Sequence, residues 1–156
     1  MSFIDSSSQT RILSTIVRMG VGKMNVDNAS SGGVFCGVNE DGTLKAVGYD
    51  WDGRTFAIHP DGTHFEDHYV PQYDELKALV CQLAPRLLGI SRIISWDFAI
   101  AEDSSPILIE ANMSFGGIDF HQMANGSLFG DMTKEIINEV FSNRTNRILN
   151  FICNLI

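Results

Sequence analysis

At Pro71 the apolar residues change their spacing, and that change divides the chain into two kinds of structure. Downstream, Tyr73, Leu76, Val80, Leu83 and Leu87 step by three and four residues, an apolar stripe along one helix face. Pro85 has no amide hydrogen and crowds the preceding turn, so this helix is expected to break or restart there. Upstream the pattern is that of strands. Ile12, Ser14, Ile16 and Arg18 alternate with Leu13, Thr15, Val17 and Met19, so residues 11–19 read as one β-branched strand. Residues 20–33 are rich in Gly, Asn and Ser and too polar for regular structure. Residues 34–38 form the next apolar run. Asn39-Glu40-Asp41-Gly42 then closes a hairpin, because Asp-Gly supplies the positive φ that such a turn needs, and residues 43–49 return. A short strand over residues 55–59 precedes a second turn at Pro60-Asp61-Gly62.

Beyond the helix, residues 90–100 and 107–111 are apolar strands joined by the polar turn Glu102-Asp103-Ser104-Ser105. A last helix is expected to begin near Asp131, a good N-cap, with Ile136, Ile137, Val140, Phe141 and Ile148 on its buried face. The sequence carries no internal repeat and no low-complexity linker. Its 156 residues read as one α+β domain, a mostly antiparallel sheet backed by two helices.

A formal charge of −8 argues against a nucleic-acid backbone or an anionic membrane surface as partner. Cys36, Cys81 and Cys153 are odd in number and far apart, which suggests neither a disulfide framework nor a zinc site and fits a reduced compartment. The amino end lacks the basic and apolar regions of a signal peptide. No apolar run approaches the roughly 18 residues needed to span a bilayer. A soluble, cytoplasmic protein is expected.

Asp97 and Glu110 are each embedded in a strongly apolar strand, where a charge is costly unless paired or bound to a cation. If residues 102–105 close a hairpin, antiparallel pairing brings both carboxylates and the Asn112 amide to one end of the sheet. Three oxygen donors without His or Cys suit a hard ion such as Mg²⁺. On residue pattern alone, a magnesium site and a pair of solvated carboxylates both remain open.

The segment Asp97-Phe98 … Ile109-Glu110-Ala111-Asn112, followed by Gly116-Gly117, resembles the metal signature of ATP-grasp enzymes. The thirteen-residue separation of Asp97 and Glu110 is similar to that in the D-alanine–D-alanine ligases of that superfamily. The whole chain most resembles the sugar-transfer-associated ATP-grasp group. The residues that carry this are Asp27-Asn28-Ala29-Ser30-Ser31-Gly32-Gly33, His59-Pro60-Asp61-Gly62, Trp96-Asp97, Leu108-Ile109-Glu110-Ala111-Asn112 and Gly126-Ser127-Leu128-Phe129-Gly130-Asp131.

The resemblance implies the C-terminal lobe of an ATP-grasp fold. It makes Asp97, Glu110 and Asn112 ligands of the Mg²⁺ that bridges the ATP phosphates. Arg11 resembles the strand-opening arginine that contacts phosphate or acyl phosphate, a task suited to a guanidinium fork. Asn28, Gly32 and Gly33 resemble a loop beside the acceptor. The implied activity is an ATP-dependent ligase joining a carboxylate to an amine or similar nucleophile through an acyl phosphate, in polysaccharide or cell-surface biosynthesis. The lobe that supplies a lysine to the phosphates is not recognisable in this sequence, so it reads as part of a family member. Two expectations follow: the chain alone turns over little, and a face left open by the missing lobe favours self-association. The alternative is a non-catalytic module that retains the fold.

Other candidates weigh less. His59, His64, His68 and His121 read as surface or turn histidines rather than metal ligands. Gly20-Val21-Gly22-Lys23 lacks the spacing of a phosphate loop. Cys36 and Cys81 fall in apolar stripes and read as core, and Met113, Phe115, Phe120 and Phe129 are expected to pack beneath the site.

Overall fold

The computed structural model describes residues 1–22, 32–114 and 116–141. Among these residues eight strands run in chain order: β1 Ser2–Ile4, β2 Thr10–Ile12, β3 Ile16–Met19, β4 Val34–Val38, β5 Leu44–Tyr49, β6 Thr55–Phe56, β7 Ile93–Ile100 and β8 Pro106–Asn112. The helices are α1 Tyr73–Leu83, α2 Ile118–Asn125 and α3 over residues 133–141. The α+β class expected from the sequence holds, but the strands divide between two antiparallel sheets, ordered β2-β1-β7-β8 and β3-β4-β5-β6.

The division falls inside the segment read as one strand. Residues 10–12 pair with β1, and residues 16–19 pair with β4. Between them the backbone changes partners: Leu13 N donates to Met1 O at 3.0 Å, whereas Thr15 O accepts from Val38 N at 3.0 Å. Side-chain alternation continues through such a crossover, so the sequence pattern alone does not reveal it. β1 is too short to leave a periodic signal.

The Asp41-Gly42 turn forms as expected, with Gly42 at φ +90° and its N–H donating to Asn39 O at 3.0 Å. The expected strand over residues 55–59 shrinks to β6 and a bridge between Ile58 and His64. α1 ends at Leu83, and a 3-10 turn, Ala84–Leu87, contains Pro85. Of the apolar stripe, Tyr73 and Val80 are the buried members on α1. Cys81 points away from that face and is exposed, contrary to the core position expected; Cys36 is buried.

Every residue of β4 is buried, because both of its faces are covered. Val34, Cys36 and Val38 pack with Leu44, Phe65 and Tyr73, while Phe35 packs on the other side with Ala124 and Phe120. Burying an aromatic such as Phe65 contributes roughly 2–3 kcal/mol. A smaller core of Ile4, Ala84 and Ile94 backs the other sheet.

The carboxyl-terminal helix differs from expectation. A 3-10 turn, Gly130–Met132, takes up the Asp131 region before α3 begins. Ile136 is half-buried, but Ile137, Val140 and Phe141 are 49%, 53% and 57% exposed, and Ile148 lies outside the described residues. No described helix is long and apolar enough to cross a membrane.

Candidate functional site

β7 and β8 form the hairpin anticipated from residues 102–105. Its register pairs Asp97 directly with Glu110 and Ser95 with Asn112. Alternate residues of a strand share a face, so Asp97 and Ser95 lie on one side of the sheet together with Glu110 and Asn112. Immediately beyond, the pairing jumps to Phe98 with Leu108, leaving Ile109 as the extra residue of a bulge. Like charges in directly opposed positions destabilise a sheet unless a cation lies between them.

A cleft of about 700 Å³ opens between β7 of one sheet and β3 of the other. Asp97, Ser95 and Asn112 line it from β7 and β8, Arg18 from β3, and Trp51 and His121 elsewhere on its wall. Arg18 Nη2 stands 3.7 Å from Asp97 Oδ2, with both side chains about a third exposed. A pair this long and this wet contributes under about 1 kcal/mol to folding. Its consequence is positional: a guanidinium is held beside the carboxylate pair.

α2 closes one side of the cleft. Gly117 caps its start, and the helix follows β8 after only a short connection. From α2, His121 Nδ1 meets Ser14 Oγ at 2.8 Å, and Asn125 Nδ2 reaches Ser14 Oγ and Thr15 O at 2.8 Å each. Tyr73 Oη donates to Thr15 Oγ1 at 2.9 Å. The Met1 amino group donates to Ser14 O at 2.7 Å. His121 is buried, and burial together with the nearby Met1 charge pushes its pKa down to about 3. The ring is neutral at ordinary pH.

Trp51 sits at the tip of the β5–β6 turn, 55% exposed, its ring 5.2 Å from that of Phe120. Phe120 in turn meets Phe35 edge-on at 5.1 Å. Asp50 fixes the turn by accepting from Asp52 N and Arg54 N at 3.0 and 2.9 Å. The cleft therefore has a charged end and an aromatic end.

The sequence-predicted residues fall in different places. Asp97, Glu110 and Asn112 come together on the hairpin, with Glu110 exposed and the other two half-buried. Arg11 lies on the edge strand β2, 53% exposed, its Nε 3.0 Å from Asp5 Oδ2. The Asp5 carboxylate also accepts from Ser7 and Gln9, which hold it well below the usual carboxylate range. Gly32 has φ +93° and leads through buried Gly33 into β4. Asn28 lies outside the described residues. His59, read as a surface or turn residue, is a buried turn residue: its Nδ1 accepts from Asp61 N at 3.2 Å. The Asp61 carboxylate receives Gly22 N at 3.1 and 3.2 Å, pinning the chain where it leaves β3.

Sequence reasoning gave no site role to Arg18, Trp51, Ser14 or Asn125, and it read His121 as a surface or turn histidine, whereas His121 is buried on α2 and lines the cleft. Arg18 did carry a signal, a lone charge in a β-branched run. His121 carried none, since α2 is eight residues long and weakly periodic.

Two carboxylates and an amide oxygen are hard donors in the number Mg²⁺ takes from protein, the ion keeping several waters, so these residues fit that ion. Among the described residues no three His, Cys, Asp or Glu side chains cluster, and the fit rests on the two carboxylates with the amide.

Two antiparallel sheets facing across such a cleft are consistent with an ATP-grasp domain, an ATP-binding and ligase-like class whose members generally bind ATP and Mg²⁺. The chain belongs to the sugar-transfer associated ATP-grasp family, whose model matches residues 1–138. No curated protein and no solved structure matches it.

Proposed function

We propose that the chain, one domain over residues 1–156, supplies the Mg–ATP-binding part of an ATP-dependent ligase. The reaction joins a carboxylate to an amine or similar nucleophile through an acyl phosphate, in polysaccharide or cell-surface biosynthesis, inside the cytoplasm. The observation that carries this reading is the direct pairing of Asp97 with Glu110, with Asn112 on the same face. That arrangement is unfavourable for an empty sheet and useful for holding a divalent cation.

Asp97, Glu110 and Asn112 would hold Mg²⁺, which when bound neutralises charge on the β- and γ-phosphates. Arg18 orients the transferred phosphoryl group, since its guanidinium already faces Asp97 in the cleft. The resemblance gives that task to Arg11, but Arg11 is engaged with Asp5 on an outer edge. Arg18 is the better placed of the two. Gly32, Gly33 and Asn28 belong to the acceptor side in this reading. Catalysis of this kind rests on positioning and electrostatics, and no general base is assigned.

A calorimetric titration with Mg–ATP tests the proposal, using Asp97→Asn and Glu110→Gln as controls. The wild type binds and both variants bind at least about tenfold more weakly, a loss of about 1.4 kcal/mol. Identical behaviour of all three would sink the metal assignment. A non-catalytic module is the second reading, favoured by one observation: Arg18 already provides Asp97 with a cation. It is selected if the folded chain shows no Mg–ATP binding, since low turnover of the chain alone is expected in either reading.

A further inference from the structure

We propose that His121 contacts the substrate: the Ser14 hydroxyl holds its Nδ1, and its Nε2–H donates to a carboxylate oxygen of the substrate in the cleft. The identity of that ligand rests on the ligase reading; the orientation of the ring does not.

The orientation follows from a chain of donors that begins at a backbone carbonyl. Thr15 O can only accept, so Asn125 must turn its NH₂ toward it, at 2.8 Å. The same Nδ2 is 2.8 Å from Ser14 Oγ, so both amide hydrogens are engaged and Ser14 Oγ is an acceptor there. Ser14 is 7% exposed, and a buried hydroxyl hydrogen needs an acceptor of its own. His121 Nδ1, 2.8 Å away, supplies it. Nδ1 is then an acceptor, and the neutral ring carries its proton on Nε2. Burial keeps the ring from taking a second proton near neutrality.

Nε2–H is the remaining polar edge of a side chain that lines the cleft with Asp97, Asn112 and Arg18. An incoming carboxylate is repelled by Asp97 and needs donors that do not shift as it arrives. A rigidly held, uncharged N–H meets that need, because its orientation is fixed before binding. The ring is also tied to both charged walls. α2 follows closely on the strand of Glu110 and Asn112, and Ser14 and Thr15 lead directly into the strand of Arg18.

Imidazole ¹⁵N–¹H spectra of the whole chain at neutral pH test the inference, followed by separate titrations with sodium acetate plus MgCl₂ and with Mg–ATP. The expected result is the Nε2–H tautomer and a saturable movement of the His121 Nε2 resonance with acetate. His121→Gln, whose amide can place an N–H near Nε2, keeps acetate affinity within about threefold. His121→Asn, which reaches only the Nδ1 position, weakens it about tenfold, the size expected for one hydrogen bond to a charged group. A proton on Nδ1, or an Nε2 resonance unmoved by acetate, overturns the proposal. Mg–ATP binding with His121 unmoved leaves the ligase reading intact and this one lost. An acetate response without Mg–ATP binding does the reverse.

Discussion

Arg18 and Asp97 belong to different sheets, and their ion pair, Nη2 to Oδ2 at 3.7 Å, spans the cleft between them. It links the strand that enters the second sheet to the hairpin strand bearing the carboxylates. Among the described residues the two sheets share no strand, and that contact holds a positive group against the strand that bears Asp97.

Arg18→Ala is therefore expected to weaken Mg–ATP binding about tenfold or more while changing folding stability by less than about 1 kcal/mol, because the ion pair is partly solvated. Arg11→Ala is expected to leave nucleotide affinity within about twofold, since Arg11 is engaged with Asp5 of the β1–β2 turn, at the edge of the first sheet far from β8. Calorimetry for affinity and urea melts for stability read the two quantities separately. Equal losses of affinity in the two variants would contradict the distinction.

His121 ties stability to pH. Its pKa is lowered to about 3 in the folded chain, so the unfolded chain takes up the proton first. Stability from this source is complete above the ordinary histidine value of about 6.5 and is lost progressively as pH falls toward 3. By pH 5 the loss is roughly 2 kcal/mol. Urea midpoints measured between pH 7 and pH 5 should fall for the wild type and fall less for His121→Gln, which keeps the fall due to the buried Met1 amino group, itself lowered to about 5.

Gly37→Ala should loosen α2 from the second sheet. A Cβ at Gly37 would lie 2.9 Å from Ala124 O and also press on the Asn125 side-chain oxygen. Overpacking of this kind costs about 1–3 kcal/mol. Because Asn125 also orients Ser14, the change should raise hydrogen exchange at the start of β3 along with lowering the melting temperature. A lower melting temperature with unchanged exchange at residues 16–19 would separate the two effects.

The hairpin also predicts association behaviour. Ile107, Leu108 and Ile109 are 47%, 40% and 65% exposed on β8, the edge strand of its sheet among the described residues. Exposed apolar edges recruit other chains. Light scattering should show concentration-dependent association of the wild type that falls in Ile109→Lys, with the far-UV spectrum unchanged.

Local signals in the sequence were reliable where one element settled its own geometry. Asp41-Gly42 turned where expected, Pro85 interrupted its helix, and the polar turn at residues 102–105 closed the hairpin that pairs Asp97 with Glu110. What escaped was set by distant partners. The crossover at residues 13–15 depends on Met1 and Val38, and an alternating pattern reads identically whether or not its strand changes sheets. The neutral state of His121 likewise comes from burial against residues more than a hundred positions away. Ile137, Val140 and Phe141 mark the opposite case, where an apolar helical spacing suggested a buried face that the described residues do not cover.

The bulge at Ile109 makes the site unevenly tolerant of insertion and deletion. Lengthening or shortening the turn at residues 102–105 leaves Asp97 opposite Glu110, since both lie on the strand side of that change. Adding or removing a residue between Glu110 and the end of β8 separates Asn112 from its place opposite Ser95. Length variation among related chains should therefore gather at the hairpin tip and stop abruptly at Leu108. An alignment whose gaps respect that boundary would trace the carboxylate pair without reference to any bound nucleotide.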